Sequence, residues 1–230
     1  MEGINGDLFA TKGIEYLIVV GYLLFLVGFW RLVLHPGAAR VASGAGQARR
    51  PMRRWFDVRD GFFFHQGHSW AAPDDGDLMR VGVDDFAQKL LGAPAAIELP
   101  AVGTSLRQGE RGWGIRLDGR DVGMLSPVDG EVVEVNPAVQ SRPGLVTSEP
   151  YDLGWLMKVR VPSKAAARKN LLSGPLARAW MDGTVEQLRA MRAGELGIVL
   201  PDGGFPVAGF ARVLAPEGWD ELARQFLMSD

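Results

Sequence analysis

The sequence predicts a mainly β fold, a small sandwich or barrel with short flanking helices, preceded by one N-terminal transmembrane helix. Three observations carry this expectation. Between Trp55 and Val161, short apolar runs recur at close spacing with turn residues between them, as in a domain of short strands folded on one another. From Ile14 to Leu34 the chain is almost wholly apolar, and a helix needs about 20 such residues to cross a bilayer. The full length of 230 residues then leaves room for one ordinary domain behind the anchor. The net charge of −2 is not that of a nucleic-acid binder, so no nucleic-acid partner is expected. The chain has no cysteine, which excludes disulfides, thiolate metal sites, iron–sulfur clusters and attached c-type haem.

Residues 1–13 read as a short N-terminal tail and 14–34 as the transmembrane helix. Glu15 and Arg31 stand near its ends, and Tyr16, Tyr22 and Trp30 suit the interfaces, where aromatic rings collect. Residues 35–54 read as a basic linker, rich in Gly, Ala, Ser and Arg and without periodicity. Arg31, Arg40, Arg49, Arg50, Arg53 and Arg54 follow the apolar run, whereas Lys12 alone precedes it. The positive-inside rule therefore predicts a single-pass protein of a bacterial-type inner (cytoplasmic) membrane, N-terminus outside and C-terminal domain in the cytoplasm. The arginines serve as that topology signal, with contact to anionic headgroups as a second reading.

Residues 55–163 read as the β domain. Phe62 to His65 and Met79 to Val83 read as strands. Asp84 is a suitable N-cap for a helix from Asp85 to Leu91, stopped by Gly92. Strands follow at Ala96–Leu99, Gly112–Leu117, Val122–Leu125, Gly130–Asn136 and Gly154–Val161, the last with Trp155 expected to anchor its core. Asp118-Gly119 is a strong signal for a two-residue type I′ hairpin turn. Residues 164–230 form a C-terminal extension of helices and a hairpin. A helix is expected from Lys164 to Leu172, capped by Ser163 and broken by Gly174-Pro175; then one from Leu176 to Met181; then one to about Arg192 behind a capping box of Thr184 and Gln187. Leu196–Leu200 and Phe205–Val213 read as a hairpin about Pro201-Asp202-Gly203-Gly204, and Trp219–Met228 as an amphipathic helix whose Phe226 and Leu227 stay exposed unless they dock.

Several stretches together resemble the glycine cleavage H-protein family. They are His68-Ser69-Trp70; Val81 to Gly92; Ile97-Glu98-Leu99-Pro100; Val102-Gly103-Thr104; Ser126-Pro127-Val128-Asp129-Gly130 running on to Asn136; and Ser148-Glu149-Pro150-Tyr151-Asp152-Leu153-Gly154-Trp155-Leu156-Met157-Lys158-Val159. The resemblance covers Phe64 to Pro162. It implies a lipoyl-domain-like flattened barrel sandwich, with His68 and Trp70 structural, and a carrier whose lipoate is held on a lysine at the tip of a hairpin between the Gly-Thr pair and the Ser-Pro-Val turn. With the spacing between Gly103-Thr104 and Ser126-Pro127-Val128 kept, that position falls on Gly119. The lysines of the chain are Lys12, Lys89, Lys158, Lys164 and Lys169, none of them in this hairpin. The neighbouring Arg120 carries an always-protonated guanidinium that cannot form the lipoyl amide. No cofactor is therefore expected, and no catalytic or metal-binding residue.

Other chemistry finds no support. His65 and His68 lack a third ligand of suitable type unless Asp74, Asp75 or Asp77 is enlisted, and those read as a solvated acidic loop. There is no phosphate-binding Gly-x-x-x-x-Gly-Lys loop and no Gly-x-Ser-x-Gly elbow. The expectation is a non-enzymatic, membrane-anchored scaffold or accessory subunit of a larger redox or energy-converting membrane complex. Its partners would be the other subunits and, through residues 14–34, the bilayer. The alternatives are a docking or carrier-type partner of lipoyl or glycine cleavage enzymes, and a regulatory ligand-binding module.

Overall fold

The computed structural model describes residues 7–34, 55–191 and 206–229. The chain divides into two units, Met1–Met52 and Arg53–Asp230. The first holds helix α1, Asp7–Leu34. Its described side chains include an unbroken stretch from Tyr16 to Val27, exposed save Leu26, and also Phe29. Within the described residues no helix is long and apolar enough to cross a membrane. The expected basic linker, with Arg40, Arg49, Arg50, Arg53 and Arg54, lies outside the described residues.

The second unit is built on two antiparallel sheets. One has six strands in the order β1-β2-β3-β9-β8-β5 and the other three, β4-β6-β7. The strands are β1 Phe63–Phe64, β2 Ser69–Pro73, β3 Leu78–Val83, β4 Ala96–Glu98, β5 Ser105–Leu106, β6 Arg111–Leu117, β7 Arg120–Leu125, β8 Gly130–Val135 and β9 Met157–Arg160. Where a strand alternates, one face is buried. In β9, Met157 and Val159 are buried while Lys158 and Arg160 face outward. One residue more on β8 than on β9 between Val132 and Glu134 makes a bulge that bends the six-stranded sheet. The mainly β fold and most strand positions are as the sequence predicts. Strands β2 and β5 and the short helices α3 (Pro137–Ser141) and α4 (Leu145–Ser148) are additions. Trp155 corrects an expectation: it precedes β9 rather than lying in it and is only half-buried, with Lys158 over its ring, because the inward positions of the strand fall to Met157 and Val159.

Helix α2, Asp85–Leu91, begins and ends as its cap residues require. Asp84 Oδ1 accepts from Ala87 N–H at 2.8 Å, and Gly92 takes φ +81° to end it. Asp84 Oδ2 also meets His68 Nδ1 at 2.8 Å, with both residues buried. The imidazole stacks on Phe86 at 4.2 Å and lies 4.7 Å from Trp180. A buried carboxylate is costly unless every lone pair is answered; here one carboxyl caps a helix and fixes a ring that packs between that helix and Trp180. Asp85 does similar work at the entrance to the domain, accepting from Asp57 N–H at 2.8 Å, Gln88 Nε2 at 2.6 Å and Lys89 Nζ at 2.7 Å.

The C-terminal extension departs from the reading in three places. Ser163 does cap a helix, but α5 is short, Lys164–Ala167. The two helices expected around Thr184 are one continuous α6, Gly174–Met191. Pro175 stands in its first turn, where a missing N–H costs nothing, and Thr184 Oγ1 donates back to Trp180 O at 3.2 Å rather than capping a new start. Phe210–Leu214, expected in a strand, is the helical turn α7; Gly209 enters it with φ +79° and its N–H donates to Lys89 O at 2.7 Å. The other expected arm, Leu196–Leu200, and the turn at Pro201-Asp202-Gly203-Gly204 lie outside the described residues. The last helix, α8, is Trp219–Leu227. Its Phe226 and Leu227 do dock: both are buried against the domain.

Candidate functional site

The β6–β7 hairpin is where the sequence places its one functional position, Gly119. Register pairs run from Trp113↔Met124 to Leu117↔Arg120, leaving Asp118 and Gly119 as the whole loop. Their φ values are +49° and +77°, the two positive angles a type I′ turn demands and that glycine and aspartate tolerate best. Below the tip, Leu117 and Val122 are buried in the core and hold the hairpin. Asp118, Gly119 and Arg120 are exposed, and a Cβ built on Gly119 would meet no atom within 4 Å. The Gly119 position is therefore open to solvent and carries no side chain.

Charges line the hairpin on every side. Arg111 pairs with Asp121 across the strands, and Arg116 pairs with Glu98 of β4. Asp118 Oδ2 accepts from Arg212 Nε at 2.5 Å. Arg120 pairs with Asp220 and also donates to Glu217 O at 3.3 Å. Desolvation pushes the Asp220 carboxyl upward in pKa, but a backbone N–H and the guanidinium groups of Arg120 and Arg224 outweigh it and hold the group below the usual carboxylate range. The partners Arg212, Glu217 and Asp220 all come from the C-terminal extension and had no sequence signal as members of this site.

A covalently held lipoyl group needs a primary amine. The tip offers a carboxylate, a bare backbone and a guanidinium, which do not fit that requirement. Lys89, Lys158 and Lys164 have their amines engaged elsewhere. Lys158 Nζ lies 3.0 Å from Glu134 and 3.5 Å from Asp74, and Lys164 Nζ donates to Asp74 O at 2.5 Å. Lys89 bonds Asp85 and donates to Trp55 O at 3.0 Å.

His65 and His68 serve the fold. Burial lowers the pKa of His65, helped by His68, and its Nδ1 accepts from Gly67 N–H at 3.0 Å. Tyr151 donates to Asp57 O at 2.7 Å and accepts from Asp85 N–H at 3.2 Å; burial raises its phenol well above the ordinary range. A cleft lined by Trp55, Asp57, Asp85, Lys89 and Arg178 opens beside this group. Asp85 and Lys89 bond each other there, while Arg178 pairs with Asp60 and Asp57 with Arg59.

The family model described as Glycine cleavage H-protein matches residues 62–182, ending inside α6. Among curated relatives, the mitochondrial glycine cleavage system H protein of Oryza sativa subsp. indica is 35% identical over 122 residues, covering 53% of this chain and 74% of that one. The glycine cleavage system H protein of Mycobacterium avium (strain 104) is 34% identical over 131 residues, 57% of this chain and 98% of its own. The probable glycine cleavage system H protein of Natronomonas pharaonis is 42% identical over 105 residues, 45% of this chain and 82% of its own. A crystal structure of a glycine cleavage system H protein from Mycobacterium marinum covers 55% of this chain and 98% of that one, at 25% identity and a TM-score of 0.47.

Proposed function

This chain belongs to the glycine cleavage H-protein family, and from that premise we propose that it is a member that carries no lipoate: a membrane-anchored scaffold or accessory subunit of a larger membrane complex, its H-protein-like domain used for protein contacts. The observation that carries this reading is the apex of the β6–β7 hairpin. By the spacing between Gly103-Thr104 and Ser126-Pro127-Val128, the family's lipoyl position is Gly119, and neither it nor its neighbours bears an amine. The hairpin itself is formed, with its two-residue turn and continuous register from Trp113 to Met124, and one bulge at its base between Arg111 and Trp113. A protein that keeps the scaffold of a carrier and lacks the attachment point retains its surface as its means of action.

Helix α1 supports the anchor. Its backbone runs 28 residues, Asp7–Leu34, although the described residues hold no helix long and apolar enough to cross a membrane. Large apolar side chains such as Leu17, Leu24 and Phe25 stand exposed along it, on more than one face, and a helix apolar all round belongs in an apolar medium. The arginines that follow it in the sequence favour a cytoplasmic side for the H-protein-like domain.

The test has two arms. Expressed with a lipoate ligase and lipoate, the chain keeps its unmodified mass; a lipoyl mass addition on any residue would overturn the non-carrier reading. Solubilised in mild detergent, it co-purifies with other subunits in fixed ratio; migration as an isolated chain would remove the scaffold reading. Because the chain has no cysteine, a single introduced one reports topology cleanly. In intact cells Gln140→Cys, on the exposed surface of α3, is labelled by an impermeant maleimide only after the membrane is opened.

A further inference from the structure

Both flanks of the hairpin tip are held by a part of the chain that lies beyond the family match, which ends at residue 182. On the β6 side, Arg212 of α7 reaches Asp118 at 2.5 Å. On the β7 side, Asp220 of α8 pairs with Arg120. These contacts are anchored behind. Arg212 Nη1 donates to Leu91 O at 2.7 Å, and its guanidinium lies 4.9 Å from the ring centre of Trp219. Arg120 lies 5.9 Å from the same ring, which is buried, and Arg224 braces Asp220 at 3.1 Å. An isolated exposed ion pair contributes little, because long side chains lose entropy to make it. Here the partners are held in place by a buried indole and a backbone carbonyl, so much of that entropy is already spent and the pairs act as a network.

We infer that α7 and α8 form a latch that fixes the hairpin tip in one conformation and closes it to any enzyme that acylates its apex. The inference rests on the placement of Gly119 at the carrier position. Acylating a side chain at the end of a two-residue turn requires the tip to enter a cleft, and the flanking residues 118 and 120 must go in with it. In this chain both are tied down beside α7 and α8. Two separate features therefore keep the tip silent: the missing amine and the occupied flanks. Restoring the first alone leaves the second in force.

The experiment uses the full chain in detergent. Gly119→Lys is made alone, with the latch intact, and again with Arg212→Gln and Asp220→Asn, with the latch opened. Each is incubated with lipoate ligase, ATP and lipoate, a lipoylatable H protein serving as positive control, and lipoyl addition is followed by intact mass. The latched protein is expected to be modified at least about tenfold more slowly than the opened one. Equal rates would overturn the latch and leave the placement of Gly119 standing. Addition to neither would overturn that placement, and the latch inference with it. Hydrogen exchange gives an independent readout without a ligase. With glycine kept at 119, amides of residues 117–121 should exchange about tenfold faster once the latch is opened, while those of β3 and β9 stay protected; unchanged exchange at the tip would overturn the latch. Should the double substitution loosen the core as well, Asp118→Asn cuts one pair while keeping a residue tolerant of positive φ, and the same comparison decides.

Discussion

Trp70 is completely enclosed, its Nε1 donating to Val83 O at 2.8 Å and to Pro150 O at 3.2 Å. Gly82 faces that indole so closely that an added Cβ would stand 2.5 Å from its Cζ2. The ring cannot retreat without losing both hydrogen bonds, so Gly82→Ala should destabilise the domain by about 1–3 kcal/mol through overpacking, measured by urea unfolding. A change below a few tenths of a kcal/mol would mean that the indole is free to shift. His65 makes a pH prediction at the same scale. Its folded pKa is lowered from the ordinary value by burial, so the unfolded chain binds the proton more readily. The sign follows: this residue's contribution is present above the unfolded pKa of about 6.5 and is lost as pH falls through that value towards the depressed folded one. Protonation also removes the acceptor that Nδ1 offers to Gly67 N–H. The loss of urea midpoint between pH 7.5 and pH 5.5 should therefore shrink in His65→Gln; identical losses in both proteins would assign the acid sensitivity to other groups.

Helix α6 shows what sequence patterns could and could not reveal about elements. Thr184 followed by Gln187 has the spacing of a capping box. The helix nonetheless runs unbroken from Gly174 to Met191, because Ala177, Met181, Thr184 and Leu188 make one buried stripe. Gln187 is exposed and caps nothing. Gln187→Ala should then change stability by less than about 0.5 kcal/mol, whereas a working capping box would lose about 1 kcal/mol; thermal unfolding separates the two. Local signals succeeded where one residue decides the outcome: Asp84 capping α2, Gly92 ending it, and Asp118-Gly119 turning the hairpin. They fail at α7, where the sequence predicts a strand over Phe205–Val213 and the chain forms the helical turn Phe210–Leu214. Its conformation is set by Gly209 N–H on Lys89 O and by Arg212 on Leu91 O, contacts that span about half the chain. The candidate site divides the same way. Its apex was legible from turn chemistry and spacing, but the ion pairs to Arg212 and Asp220 join residues 94 and 100 positions apart, and no local pattern encodes them.

At the scale of the whole molecule, the chain joins two units with opposite demands on solvent. Arg53–Asp230 has its own core, in which the C-terminal extension is a full participant: Phe210, Trp219, Phe226 and Leu227 are buried with the strands. Helix α1 has no such burial. Eleven of its large apolar side chains between Tyr16 and Phe29 stand exposed, and moving such groups from water to an apolar phase yields roughly 1.5–3 kcal/mol each. The proposed anchor draws on that transfer, although among the described residues no helix is long and apolar enough to cross a membrane. Removing residues 1–52 should therefore change where the protein resides and leave the fold of the remainder intact. The fragment 53–230 is expected to stay in the supernatant after ultracentrifugation, to unfold in one cooperative transition, and to share the urea midpoint of the full chain in detergent, while the full chain sediments with membranes and resists carbonate extraction. A fragment with no cooperative transition would mean that the domain needs its N-terminal unit to fold. A full chain that carbonate released would leave α1 without the bilayer that its exposed apolar surface calls for.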